Sequence, residues 1–130
     1  MDEQRKETWR KCLILWEALS IKPTTKIDSS ISPKIVLVKS LGFGHQLLGC
    51  PLCEVYFDKR KCKLCPIKSK LNHEDVEVPC RNKNCPYRQY SDMTLDQNVH
   101  DEKLAELFYV WLIKLAKEEG YEPDFNLKYW

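Results

Sequence analysis

Cys50-Pro51-Leu52-Cys53, eight intervening residues, and then Cys62-Lys63-Leu64-Cys65-Pro66 form the stretch around which this chain is organised. Each half is a C-x-x-C knuckle, a spacing that lets two thiolates on a tight turn converge on one ion. Two knuckles supply the four corners of a tetrahedral site, the geometry that Zn2+ prefers. The intervening Glu54 to Lys61 is long enough for a minimal hairpin, and its Tyr56-Phe57 pair can pack beside the metal. Cys50, Cys53, Cys62 and Cys65 are therefore the expected metal ligands. Cys80 and Cys85, which follow a polar stretch, are candidate substitutes for one of them. A zinc ion closed by four thiolates has no open coordination position, so it neither activates water nor polarises a substrate. Its contribution is folding energy, about 10 to 16 kcal/mol of apparent binding in small zinc modules. The same thiolates would also accept an iron–sulfur cluster. A thiol oxidoreductase is a further reading of a proline-containing C-x-x-C, disfavoured here by the second pair that follows so closely.

Outward from the knuckles, charge is unevenly spread. The net charge is +2, yet residues 59–88 carry nine basic side chains, Lys59, Arg60 and Lys61 among them, against three acids. Part of that excess offsets the charge of the thiolates, and the remainder would suit an acidic partner or nucleic acid. The carboxy-terminal third is acidic, which is unfavourable for non-specific nucleic-acid binding.

On the amino-terminal side, Trp9, Cys12, Leu13, Trp16 and Leu19 recur at three- and four-residue intervals, predicting a helix over residues 1–21 that ends at Lys22-Pro23. Cys12 lies on that stripe as a small apolar residue. A polar loop leads to Ile35-Val36-Leu37-Val38, read as a short buried strand. An alternative is a short helix capped at Ser32-Pro33 and stopped by Gly42. On the carboxy-terminal side, Leu104, Leu107, Phe108, Trp111, Leu112 and Leu115 predict a second helix over 95–120, capped by Thr94 with Gln97 or by Asn98 and stopped at Gly120. Tyr109, Val110 and Ile113 widen its apolar surface. Residues 121–130 form an aromatic tail containing Tyr121, Phe125, Tyr129 and Trp130.

With 130 residues, one domain is expected. The fold class is α+β and mainly helical, with amino- and carboxy-terminal helices packed on a small zinc-ribbon or zinc-knuckle module over residues 34–90. The closed metal centre is expected to pin a two-helix body whose own interior is small. The mixed-charge opening, Met1 to Glu7, lacks the apolar run of a signal peptide, and no stretch approaches the ~20 apolar residues of a membrane span. A soluble cytoplasmic protein is expected, with its seven cysteines used for metal rather than disulfides. No paired carboxylates stand apart from solvated helix faces, no nucleophile has an identifiable histidine partner, and the three histidines share no metal motif. A non-enzymatic role is expected, with no small-molecule substrate.

The chain resembles a group of small, cysteine-rich proteins of bacteriophages and prophages. The resemblance rests on Trp16, Cys50-Pro51-Leu52-Cys53, Cys62-Lys63-Leu64-Cys65-Pro66, Cys80, Pro86-Tyr87 and the closing Leu104 to Leu115 helix. It departs at Cys85, where a small hydroxyl residue would be expected, and in the length of the loop between Trp16 and Cys50. The resemblance implies phage origin, action in the host-cell cytoplasm, and a zinc-stabilised inhibitor that occupies a host defence effector such as a CRISPR nuclease, as anti-CRISPR proteins do. Tyr109, Tyr121, Phe125, Tyr129 and Trp130, with Lys59, Arg60 and Lys61, are the candidate partner-binding residues. Nucleic-acid binding by a zinc ribbon is the alternative.

Overall fold

The computed structural model describes residues 3–26 and 85–130. In chain order these form α1 (Glu3–Ile21), β1 (Thr25–Lys26), α2 (Pro86–Gln97), β2 (Val99–His100) and α3 (Glu102–Glu118). The described part is thus mainly helical with one small two-stranded sheet. Cys50, Cys53, Cys62, Cys65, Cys80, Lys59, Arg60, Lys61 and the strand expected at 35–38 lie outside the described residues, as does most of the proposed 34–90 module.

α1 buries the expected stripe of Trp9, Cys12, Leu13, Trp16 and Leu19, and adds Leu15. Two hydroxyls on its inward side are satisfied locally: Thr8 donates to the Gln4 carbonyl at 2.9 Å and Ser20 to that of Glu17 at 2.7 Å, so their burial leaves no orphan donor. The helix closes with Lys22 N–H donating to the Leu19 carbonyl at 3.3 Å, and Pro23 prevents continuation.

The single helix expected over 95–120 is in fact divided. Pro86 occupies the first turn of α2 with Cys85 as an extended N-cap (φ −83°, ψ 126°), a position where the missing proline N–H costs nothing. Asn98, expected to open the last helix, instead closes α2 in the left-handed conformation at φ 53°, which asparagine tolerates better than most residues. Residues 86–90, expected at the end of the metal module, are helical. After β2, Asp101 caps α3 by accepting from the Leu104 N–H at 3.0 Å. Residues 94–98 cannot cap α3 because they finish the preceding helix.

At its far end α3 finishes with Gly120 at φ 83°. Gly120 N–H donates to the Lys117 carbonyl at 3.0 Å and Tyr121 N–H to that of Ala116 at 2.9 Å, a Schellman closure that requires the left-handed glycine. The buried stripe of α3 is Ala105, Phe108, Tyr109, Leu112, Ile113, Leu115 and Ala116. It is rotated from the expected one, because Leu107 is 45% exposed while Tyr109 and the two alanines face inward.

The terminal helices pack directly on each other, and α2 packs on α3. Their meeting point is Trp16. Its ring lies edge-on to Phe108 of α3 (4.7 Å between centroids) and to Tyr90 (5.3 Å) and Tyr87 (5.8 Å) of α2. Such edge-to-face contacts add about 0.5–1.5 kcal/mol each beyond area burial. β1 and β2 pair antiparallel, with Thr25 opposite His100 and Lys26 opposite Val99. The pairing brings the last described residues before position 27 alongside the segment joining α2 to α3. Among the described residues no helix is long and apolar enough to cross a membrane.

Candidate functional site

The carboxy-terminal tail folds back onto α3 through its polar ends. Tyr109 O–H donates to the Lys128 carbonyl at 2.6 Å, with the Glu17 carboxylate 3.3 Å away. Burial first, and then the Glu17 charge, hold the Tyr109 phenol well above its ordinary range, so it remains a donor. Tyr129 lies over Tyr109 with centroids 6.2 Å apart, and its hydroxyl reaches the Glu106 carboxylate at 3.3 Å. The backbone of Tyr129 is left-handed, φ 69°, an uncommon conformation for an aromatic residue. The Trp130 ring stands edge-on to Tyr121 at 6.1 Å.

Lysines complete the patch. Lys117 Nζ donates to the Trp130 carbonyl at 2.7 Å and sits 5.0 Å from the centre of its ring. Lys128 Nζ lies 4.9 Å from the Tyr129 ring. Cation–π contacts at exposed sites are worth about 0.5–1 kcal/mol, enough to bias the geometry of a short tail. Of the aromatic residues expected to meet a partner, Tyr109 and Tyr121 are buried, at 0% and 6% exposure, and Phe125 is half-buried. Tyr109 and Tyr121 meet the tail itself, through the Lys128 carbonyl and the Trp130 ring. Tyr129 at 49% and Trp130 at 37% remain open to solvent.

Glu119 locks the α1–α3 interface where α1 begins and α3 ends. Its carboxylate accepts from the buried Trp9 Nε1–H at 2.6 Å and from Arg5 Nε–H at 3.1 Å, and a second Arg5 nitrogen pairs with it. A neutral donor and a guanidinium converge on one partly buried carboxylate, tying the start of α1 to the end of α3.

Cys12 and Cys85 belong to the hydrophobic core, each with 0% exposure. Cys85, a candidate metal ligand, stands at the N-cap position of α2 within the hydrophobic core. Among the described residues no group of three or more His, Cys, Asp or Glu side chains is placed to hold a metal.

No known protein family, curated protein or solved structure matches the chain. The site therefore rests on its own residues. Sequence reasoning gave no role to Glu119 or His100, both of which make polar contacts distant in sequence, and offered Tyr90 only as part of a base-stacking surface in the nucleic-acid alternative. Glu119 stands directly before the helix-ending Gly120, a place that offers a carboxylate to whatever packs there. His100 carries no local signal, since its partner Lys22 is far along the chain.

Proposed function

We propose that the chain is a non-catalytic protein-binding module with a zinc-stabilised cysteine segment carried on a helical body. The observation that carries this reading is the C-x-x-C, eight residues, C-x-x-C spacing at Cys50–Cys65. Four thiolates fill the tetrahedral sphere of zinc and leave no place for substrate. Support for a protein partner comes from the tail. Tyr129 and Trp130 are exposed yet held by Lys117, Lys128 and Glu106, and partly pre-ordered aromatic anchors are the residues that dominate protein interfaces. Under the phage resemblance, the partner is a host defence effector, a CRISPR nuclease being one such class.

The test is affinity capture with the full chain from a bacterial lysate treated with nuclease, followed by mass spectrometry and a direct binding assay on the recovered protein. One partner should be recovered, binding it should weaken at least tenfold in Y129A/W130A, and the K59A/R60A/K61A variant should bind nearly as well as the parent. Recovery of nucleic acid alone from an untreated lysate, with affinity falling steeply in salt, overturns the reading in favour of nucleic-acid binding.

A further inference from the structure

His100 is fully buried and bridges three parts of the body. The Lys22 carbonyl, which can only accept, lies 3.0 Å from Nε2. Nε2 therefore carries the proton, and in the neutral ring Nδ1 is the acceptor. Tyr90 O–H fills that role from α2 at 2.8 Å, its ring edge-on to the imidazole. Both ring nitrogens are thus satisfied in the neutral form, whereas in the charged form Tyr90 must turn its O–H away and accept from Nδ1. The backbone of His100 also pairs with Thr25, and one step further on Glu102 N–H donates to Thr24 Oγ1 at 3.0 Å. These bonds together fasten residues 22–26 to the segment opening α3, immediately before position 27.

We propose that His100 is an acid-sensitive catch at the point where the chain passes from the helical body to the cysteine segment. Protonation places an N–H on Nδ1 facing a hydroxyl that had been donating, and puts a charge in a buried site. Charged and titratable groups surround it on each side: Lys22 after α1, Tyr90 on α2 and Asp101 at the start of α3. Burial is the largest influence and holds the imidazole below its ordinary range. The Lys22 ammonium acts in the same direction, while the Lys22 carbonyl and Asp101 oppose it. Burial likewise pushes the Tyr90 phenol up to about 12, so Tyr90 keeps its proton throughout.

The folded value being lower than the unfolded one, the catch is fully engaged above the ordinary imidazole range, near pH ~6.5. Its contribution is lost as pH falls from there toward the folded value. Acid frees residues 22–26 from β2 while the Trp16 cluster, which has no titrating group in this range, stays packed.

The test uses the full chain and nuclear magnetic resonance. At neutral pH the His100 ring should be the Nε2–H tautomer with a midpoint below ~6.5. On acidification the Glu102 amide should lose exchange protection, after correction for intrinsic rates, before Leu13 and Leu112 do. H100F should abolish the pH dependence of Glu102 protection. Y90F, which retains the ring but removes the donor to Nδ1, should raise the His100 midpoint by up to about one pH unit. A His100 midpoint at or above ~6.5, an unmoved midpoint in Y90F, or equal acid loosening in H100F overturns the proposal. The last result would assign the loosening to another group, such as protonation of metal-bound thiolates.

Discussion

The helical body and the cysteine segment declare themselves in opposite ways. The body has almost no motif, yet its helices are placed by periodicity and tied by long-range contacts: Trp16 to Tyr87, Tyr90 and Phe108, and Glu119 to Arg5 and Trp9. The segment has a strong motif, two C-x-x-C pairs, and lies outside the described residues. Apolar patterning specifies which faces meet, whereas ligand spacing specifies only which atoms converge. A body with its own aromatic junction has less need of a metal than the two-helix body expected from the sequence. On the zinc reading proposed above, the metal serves the segment, and the body should tolerate its loss.

Substitutions ranked by their effect on the body sharpen this contrast. The largest loss is expected from Phe108→Ala, which removes the ring nearest Trp16. About 3–5 kcal/mol of stability should go, seen as a lower urea midpoint of tryptophan emission. All four tryptophans, Trp9, Trp16, Trp111 and Trp130, lie in the described body, so that signal reports on it selectively. Glu119→Ala should come next, at about 1–3 kcal/mol, because it leaves the buried Trp9 Nε1–H without an acceptor. Asp101→Ala, which removes the α3 cap, should cost about 1 kcal/mol in the same assay. Cys53→Ser should shift the body least, by under about 1 kcal/mol, if the metal serves the segment and not the body. A Cys53→Ser loss as large as that of Phe108→Ala would break the contrast and return the metal to the centre of the fold.

Much of the body was legible in the sequence. The α1 stripe from Trp9 to Leu19 is buried as its spacing implies, and the stop at Gly120 is where α3 ends. α2 was not legible, for a physical reason. It has only twelve residues, PYRQYSDMTLDQ, mostly polar, and its two tyrosines matter because Trp16 lies some seventy residues earlier. Pro86, expected inside the 34–90 metal module, starts a helix. Thr94, Gln97 and Asn98 read as an opening cap, yet Asn98 closes the previous helix. Strands of two residues give no alternation to detect. In the candidate site, the aromatic tail was legible as a docked element, but which rings anchor it and which stay open depends on the partners of Tyr109 and Trp130. The role of Glu119 comes from contacts distant in sequence, Arg5 and Trp9, and that of His100 from Lys22 together with the nearer Tyr90.

Metal content tests the central claim most directly. Plasma mass spectrometry on the purified chain, alongside a C53S/C62S variant, should find about one zinc per parent chain and close to none in the variant. A parent chain without stoichiometric metal, or a variant that retains it, would contradict the account.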